Sequence, residues 1–336
     1  MKKILIVLSA SLLFSCSKTD NLFKIPPDSL NARLNGSIVS EGNLVITKEG
    51  TFYDGQGDTV KSIVIKTSYV SVKNVVVKGG SDSSGISIIS TNKPLNNVII
   101  DNVNVIGYKY VGINAYGTLR SLIIKNSKVS ENGFAGIYVS CIWPQIRIDH
   151  ISITNVDAFN NKGIRGQKPH TGHGIIVGGV NYGVIDNCRA WNNGYVNGDG
   201  NIGIWAYDSK YITIKNSTSY KNQSVTGIDG GGFDLDGGVS NSTIQNCVSY
   251  ENDGAGYLLY EWGSPNPCQN NTFKNNTSNL DGQGNVAYSG FSLGGVQNVY
   301  NTTIQGNTVT PITGRAPVTY FGKQYLIGLT FIGNNF

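Results

Sequence analysis

Methionine is almost missing from this chain (one in 336 residues), proline is sparse at nine, and only 14% of the residues carry a charge. Basic and acidic residues nearly balance, 26 against 21. No strong field is therefore available to hold a nucleic acid or an anionic surface. Long apolar runs are absent after the first sixteen residues, which excludes a membrane-spanning helix from the body of the chain. Nor does any stretch repeat its apolar residues at helical spacing, so helical architectures are excluded as well. What the chain has instead is glycine, 43 residues of it, and abundant asparagine. Both punctuate short alternating segments that read as many brief strands joined by turns.

The first residues, MKKILIVLSASLLFSC, place two lysines before an apolar run that ends at Cys16. This is the layout of a secretory signal, too short to span a bilayer. It resembles a bacterial lipoprotein signal, in which the cysteine is lipidated and becomes the new first residue. The resemblance implies lipidation at Cys16 and an exported protein anchored at the bacterial cell envelope, the outer membrane being favoured. An ordinary signal peptide with an incidental cysteine is the alternative. Cleavage would remove Lys2 and Lys3 and no acid, leaving 24 basic against 21 acidic residues.

Internal periodicity organises the rest. The segments SVKNVVV, IIDNVNV, IIKNSKV, SITNVDA, VIDNCRA, TIKNSTS, TIQNCVS and TFKNNTS align on Asn74, Asn102, Asn126, Asn155, Asn187, Asn216, Asn246 and Asn275, and TIQGNTV puts Gly306 in the same place. Each asparagine is followed by a glycine that opens a short apolar strand: GISIIS, GINAYG, GIYVSC, GIIVGG, GIWAYD, GFDLDG, GYLLYE and GFSLGG. The spacing of 24 to 32 residues describes a solenoid with one coil per repeat. The aligned asparagines form a ladder at the roughly 4.8 Å strand spacing, each amide bonding the next and satisfying turn groups that are costly to bury alone.

These repeats resemble the right-handed parallel β-helix proteins, the fold of pectate lyases, polygalacturonases and related sugar-active enzymes. The resemblance covers roughly residues 45 to 323, and YDGQG at residues 53 to 57 looks like an opening coil of that group. The expected architecture is all-β: a single right-handed parallel β-helix of about nine to ten coils. Residues 1 to 16 are the signal, 17 to 44 a cap that covers the first sheet edge, and 45 to 336 the helix with a less regular last coil. Cys188 and Cys247 lie two coils apart, about 9.6 Å, beyond the roughly 7 Å reach of a disulfide. Cys141 and Cys268 lie about four coils apart. No disulfide is expected, and the chain is expected to be a monomer.

The coil alignment gives direction to the acids of TGIDGGGFDLDGG. In each strand the first and third residues after the glycine are apolar and face inward, so the second and fourth face out. In the sixth strand those outward residues are Asp234 and Asp236. Their neighbours on adjacent strands are Trp205, Tyr207, Leu258 and Tyr260, with Tyr138 farther along and Glu261 just past a strand end. Loops between asparagine and glycine lengthen from 10 or 11 residues to 19, 16 and 16 beside this strand. These loops carry Arg165, Lys168, His170, His173, Asp199 and Asp229, which would form a wall beside the acids.

Paired carboxylates with aromatic neighbours on an outer sheet suit a sugar site, because rings pack on sugar faces while acids move protons. Asp234, Asp236, Asp229 and His173 are the candidate catalytic residues. Trp205, Tyr207, Tyr260, Glu261, Tyr138, Arg165 and His170 are the candidate substrate contacts. The favoured reading is glycoside hydrolysis of a poly- or oligosaccharide, which needs one protonated and one ionised carboxyl. The polygalacturonase group shares aspartates on coil strands and a GHG segment. Here, however, GHG precedes the aspartates and no RIK segment follows them, so that family's roles do not transfer residue by residue. Polysaccharide lyase or uronate epimerase chemistry is the alternative, and a non-catalytic glycan-binding surface lipoprotein a third. No cofactor is required, although the paired acids could take calcium.

Overall fold

A computed structural model of the chain describes residues 37–40, 42–79 and 83–336. The signal segment with Cys16 lies outside the described residues. The chain winds into a right-handed parallel β-helix whose interior is a continuous column of Ile, Val, Leu and Phe. One face is a twelve-stranded sheet. Its strands are β1 (Ser37–Ser40), β2 (Asn43–Ile46), β3 (Ser62–Ile65), β4 (Ile86–Ile89), β5 (Val111–Tyr116), β6 (Ala135–Ser140), β7 (His173–Gly178), β8 (Asn201–Tyr207), β9 (Asp229–Asp236), β10 (Tyr257–Glu261), β11 (Phe291–Gly295) and β12 (Val318–Phe321). β1 runs antiparallel to β2 and covers that sheet edge; every later neighbour pairs parallel. The sheet extends beyond the nine to ten coils expected, because β2 and β3 at one end and β12 at the other lack the glycine-plus-apolar signature.

The other faces come from strands such as Leu95–Ile106, Leu119–Ser130 and Ile148–Phe159. These strands run straight through the aligned asparagines. Those asparagines sit at φ between 49° and 54°, the left-handed corner that Asn and Gly tolerate best. Gly306 holds the same corner at φ 63°. Contacts along this row do form, as from Asn102 to Asn74 (2.7 Å) and from Asn187 to Asn155 (2.7 Å). They lie on the outside, and at two steps the acceptor is instead Asp101 or Asp186.

The ladder that satisfies buried groups is a second row, six residues further along each coil. Asn132, Asn161, Asn193, Asn222 and Asn252 have no exposed surface. Each Nδ2 donates to the Oδ1 of the next, at 3.0, 2.7, 2.9 and 2.8 Å. The same Oδ1 atoms also accept the backbone N–H of the preceding rung. The row begins at the N–H of Tyr108 and ends on Asp281, which accepts both the side chain and the N–H of Asn252. Burial pushes the Asp281 carboxyl up to about 6, against the lowering effect of Ser278 and Asn252 as donors. Thus the expectation of a ladder holds, but its buried form runs through other residues. Cys141, Cys188, Cys247 and Cys268 are buried free thiols.

The two rows differ in what a substitution leaves behind. Asn193→Ala strands a buried N–H and a buried amide, an expected loss of roughly 2–4 kcal/mol. Asn155→Ala, on the outside, removes a solvent-exposed contact and strains one corner, an expected loss of about 1 kcal/mol. Urea denaturation of the two variants measures the difference, and equal losses would contradict the buried ladder.

Candidate functional site

The register read from the sequence brings the acids where expected. Trp205 pairs with Asp234, Asp234 with Leu258, and Asp236 with Tyr260 across β8, β9 and β10. Inward alternation is kept as well, since Phe233 and Leu235 are wholly buried in the core column. The outer face is not bare, however. Phe134, Ile176, Trp205 and Leu258 form a second apolar cluster upon it, flanked by Tyr138, Tyr207, Tyr260, Tyr288 and Phe321. The long loops close over this cluster and leave a cleft of about 900 Å³. Asp229, Asp234 and Asp236 line it together with His170 and these aromatic rings.

Asp234 is therefore enclosed, while Asp229 and Asp236 stay partly exposed at the cleft. Asp234 is only 2% exposed, and its Oδ1 has no hydrogen-bond partner. Burial, reinforced by the charges of Asp236 and Asp229, raises its carboxyl well above the ordinary range. Asp236 is likewise raised well above its usual value by burial, partly offset by the N–H of Gly237, with Asp229, Glu261 and Asp208 adding repulsion. Asp229 occupies a left-handed corner at φ 54°. Its Oδ1 accepts the Tyr288 hydroxyl at 2.9 Å, while its own N–H donates to that hydroxyl at 3.0 Å. Burial raises the Asp229 carboxyl too, and the Tyr288 donor and His170 pull it back.

The aromatic lining is fixed by polar ties. The hydroxyls of Tyr138 and Tyr207 meet at 3.0 Å. Tyr207 lies flat over Gly178, where an added Cβ would fall 2.1 Å from the ring. The Nδ1–H of His170 donates to the Gly200 carbonyl, 3.1 Å away, since a carbonyl only accepts.

Other expected contacts lie elsewhere. His173 has no exposed surface and does not line the cleft. Its Nδ1 accepts the Trp205 indole N–H at 3.1 Å and the Ile202 N–H at 3.2 Å. It is thus a neutral support beneath Trp205, pushed far below its ordinary value by burial and by His170, rather than a proton shuttle. Glu261 turns away: its carboxylate accepts the N–H groups of Gly263 and Ser264 at 2.7 Å each and of Gly238 at 3.0 Å. That role is to hold a turn. Arg165 and Lys168 are exposed and do not line the cleft, whereas Gln167, Pro169 and His170 of the same loop do. Asp199 is buried and accepts the Thr226 hydroxyl at 3.0 Å, tying neighbouring loops together.

The sequence did not single out Tyr288, Phe134, Trp143 or Phe321. The 15-residue loop before β11 was the available signal for Tyr288, whereas Trp143 sits in a short loop after β6 with no length signal at all. Among the described residues, no group of three or more His, Cys, Asp or Glu side chains is arranged to hold a metal ion.

The family model described as "Right handed beta helix region" matches residues 84–273. Among solved structures, the A-module of mannuronan C-5 epimerase AlgE4 from Azotobacter vinelandii is similar over 87% of this chain and 80% of its own, at 17% identity and a TM-score of 0.57. Pectate lyase Pel9A is similar over 81% of this chain and 70% of its own, at 18% identity and a TM-score of 0.57. A DFA-IIIase from Arthrobacter chlorophenolicus A6, without its lid, is similar over 85% of this chain and 83% of its own, at 10% identity and a TM-score of 0.53. At such identities the likeness is one of fold. No curated protein matches the sequence.

A carboxyl whose folded value is raised costs stability as pH climbs from its unfolded value toward the folded one. Asp234→Asn keeps the neutral shape and removes that cost. It should therefore stabilise the protein at pH 7, by on the order of 1–3 kcal/mol, and leave it nearly unchanged near pH 4. Denaturant midpoints at the two pH values check this, and a loss of stability at pH 7 would count against the buried-acid description.

Proposed function

The chain belongs to the right-handed β-helix family, and from that premise we propose that it acts on carbohydrate, as a glycoside hydrolase whose acid and carboxylate are Asp234 and Asp236. The observation that carries this reading is the pair itself. Two carboxyls stand on one outer strand face inside an aromatic cleft, and both are held toward the protonated form by burial. Interacting acids of this kind titrate as a unit, and one keeps its proton into the neutral range.

The surroundings support a division of roles between the two acids. Asp234 has a buried oxygen with no hydrogen-bond partner, which favours it as the acid that carries the proton. Asp236 receives the Gly237 N–H and is the ionised member. Asp234 gives its proton to the glycosidic oxygen as the bond to the anomeric carbon breaks. Asp236 then stabilises that carbon, by direct attack or by activating the water that adds to it. Asp229, oriented by Tyr288, contributes negative charge beside the developing cation. Among the described residues no lysine or arginine lines the cleft, which favours an uncharged glycan over a uronate polymer. This is also the argument against β-elimination or epimerisation, which require the uronate carboxylate to be neutralised. We further propose that lipidation at Cys16 anchors the enzyme at the cell envelope.

The test is product formation from a panel of neutral and uronate glycans, each assayed with added calcium and with chelator. New reducing ends from neutral glycans, lost at least 100-fold in Asp234→Asn and Asp236→Asn without loss of folding, are expected. An ultraviolet-absorbing unsaturated product would replace this reading with a lyase. Binding without any product would leave a glycan-binding protein. For an active enzyme, Tyr288→Phe removes a donor that lowers Asp229. The acid limb of the rate profile should then move to higher pH, and an unmoved limb would remove Asp229 from the mechanism.

A further inference from the structure

The rings that line the cleft floor are poorly placed to receive a sugar face, since Trp205 is only 7% exposed and its N–H is spent on His173. At the rim the situation is reversed. Trp143, from the loop after β6, is 54% exposed, and Trp262, from the loop after β10, is 38% exposed. They come from coils four strands apart in the sheet, yet their ring centroids are 6.1 Å apart with planes inclined at 38°. Both line the same cleft as the acids. The Trp262 indole lies over Gly237, where a Cβ would meet Nε1 at 2.5 Å, so it stands directly beside Asp236.

Exposed indoles are costly, and nothing about folding requires these two to be held open to solvent. They are held nonetheless. The Trp143 N–H donates to Asp208 Oδ2 at 2.7 Å. Asp208 is itself 1% exposed. Its other oxygen accepts the Ser264 hydroxyl and, at 2.8 Å, the Asn266 amide. Asn266 also reaches back to the Pro144 carbonyl at 2.9 Å. A buried carboxylate thereby clamps the loop bearing Trp143 to the loop that follows Trp262. The polar edge of Trp143 is satisfied inward, and apolar ring faces are presented toward the cleft mouth.

We propose that Trp143 and Trp262 form a sugar-stacking subsite of the cleft, with Asp208 as the positioning residue for Trp143, and that its ligand is a neutral pyranose unit of an oligosaccharide whose neighbouring unit lies at Asp234 and Asp236. The chemistry is that of an apolar ring face against an aromatic plane, and among the described residues no lysine or arginine lines the cleft to select a charged sugar. This rests on the carbohydrate reading above but does not depend on hydrolysis.

The test uses the mature chain and a panel of neutral hexasaccharides (β-glucan, α-glucan, mannan, xylan and galactan fragments), with binding read by tryptophan emission and calorimetry. Trp143→Ala and Trp262→Ala should each weaken binding about tenfold or more and raise KM with little change in kcat. Asp208→Asn should weaken binding in the wild-type background and have no further effect once Trp143 is Ala, which a merely structural role would not produce. Binding lost in the tryptophan variants while no glycan is hydrolysed would keep the subsite and remove the hydrolase. Hydrolysis with KM unchanged in both tryptophan variants would remove the subsite and keep the hydrolase. Absence of binding by the unaltered protein to every panel member would overturn the proposal.

Discussion

One contact is repeated coil after coil: a buried asparagine oxygen that accepts both the backbone N–H and the amide of the rung before it. Parallel coils cannot hydrogen-bond within themselves at their corners, so each corner must be satisfied by its neighbour or remain a buried unpaired group. The ladder supplies that partner at the period of the coil. It fixes how one turn of the solenoid sits upon the next and hence which residues face one another across the sheet. The alignment of Trp205, Asp234 and Leu258 on one outer row follows from that stacking.

The site uses what the scaffold leaves free. Interior positions of each strand are committed to the core column, but the outer face can carry any chemistry the flanking coils will tolerate. Here it carries a second apolar cluster, which lowers the polarity around Asp234 and Asp236 and so raises both carboxyls above their ordinary range. Apolar residues at outward positions thus set the environment of these carboxyls. They also explain why long loops beside β9 matter: without that cover, the carboxylates would be ordinary solvated acids.

Much of this was legible in the sequence, and the failures have physical causes. Glycine-plus-apolar strands fixed the register, because alternation permits only one inward set. The left-handed corners drew attention through Asn126, Asn155 and Asn187, since few residue types accept that backbone. The buried rungs six residues later, Asn132, Asn161 and Asn193, were equally periodic but are embedded in turn-like contexts such as ENG and NNK that read as solvated loops. Glu261 and His173 were misjudged because sequence position gives a strand end, not the direction of a side chain beyond it. Trp143 escaped because its approach to Trp262 depends on the buried Asp208, a contact between residues 65 apart in the chain.

The tie between Tyr288 and Asp229 joins residues 59 apart in the chain, and Phe321 of β12 lines the same cleft. A solenoid can add coils one at a time, each resting only on its predecessor. The strand that carries Asp234 and Asp236 thus precedes in the chain the wall that later coils contribute. The complete cleft is consequently a property of the finished stack, because Tyr288 and Phe321, which close it, come from its last coils.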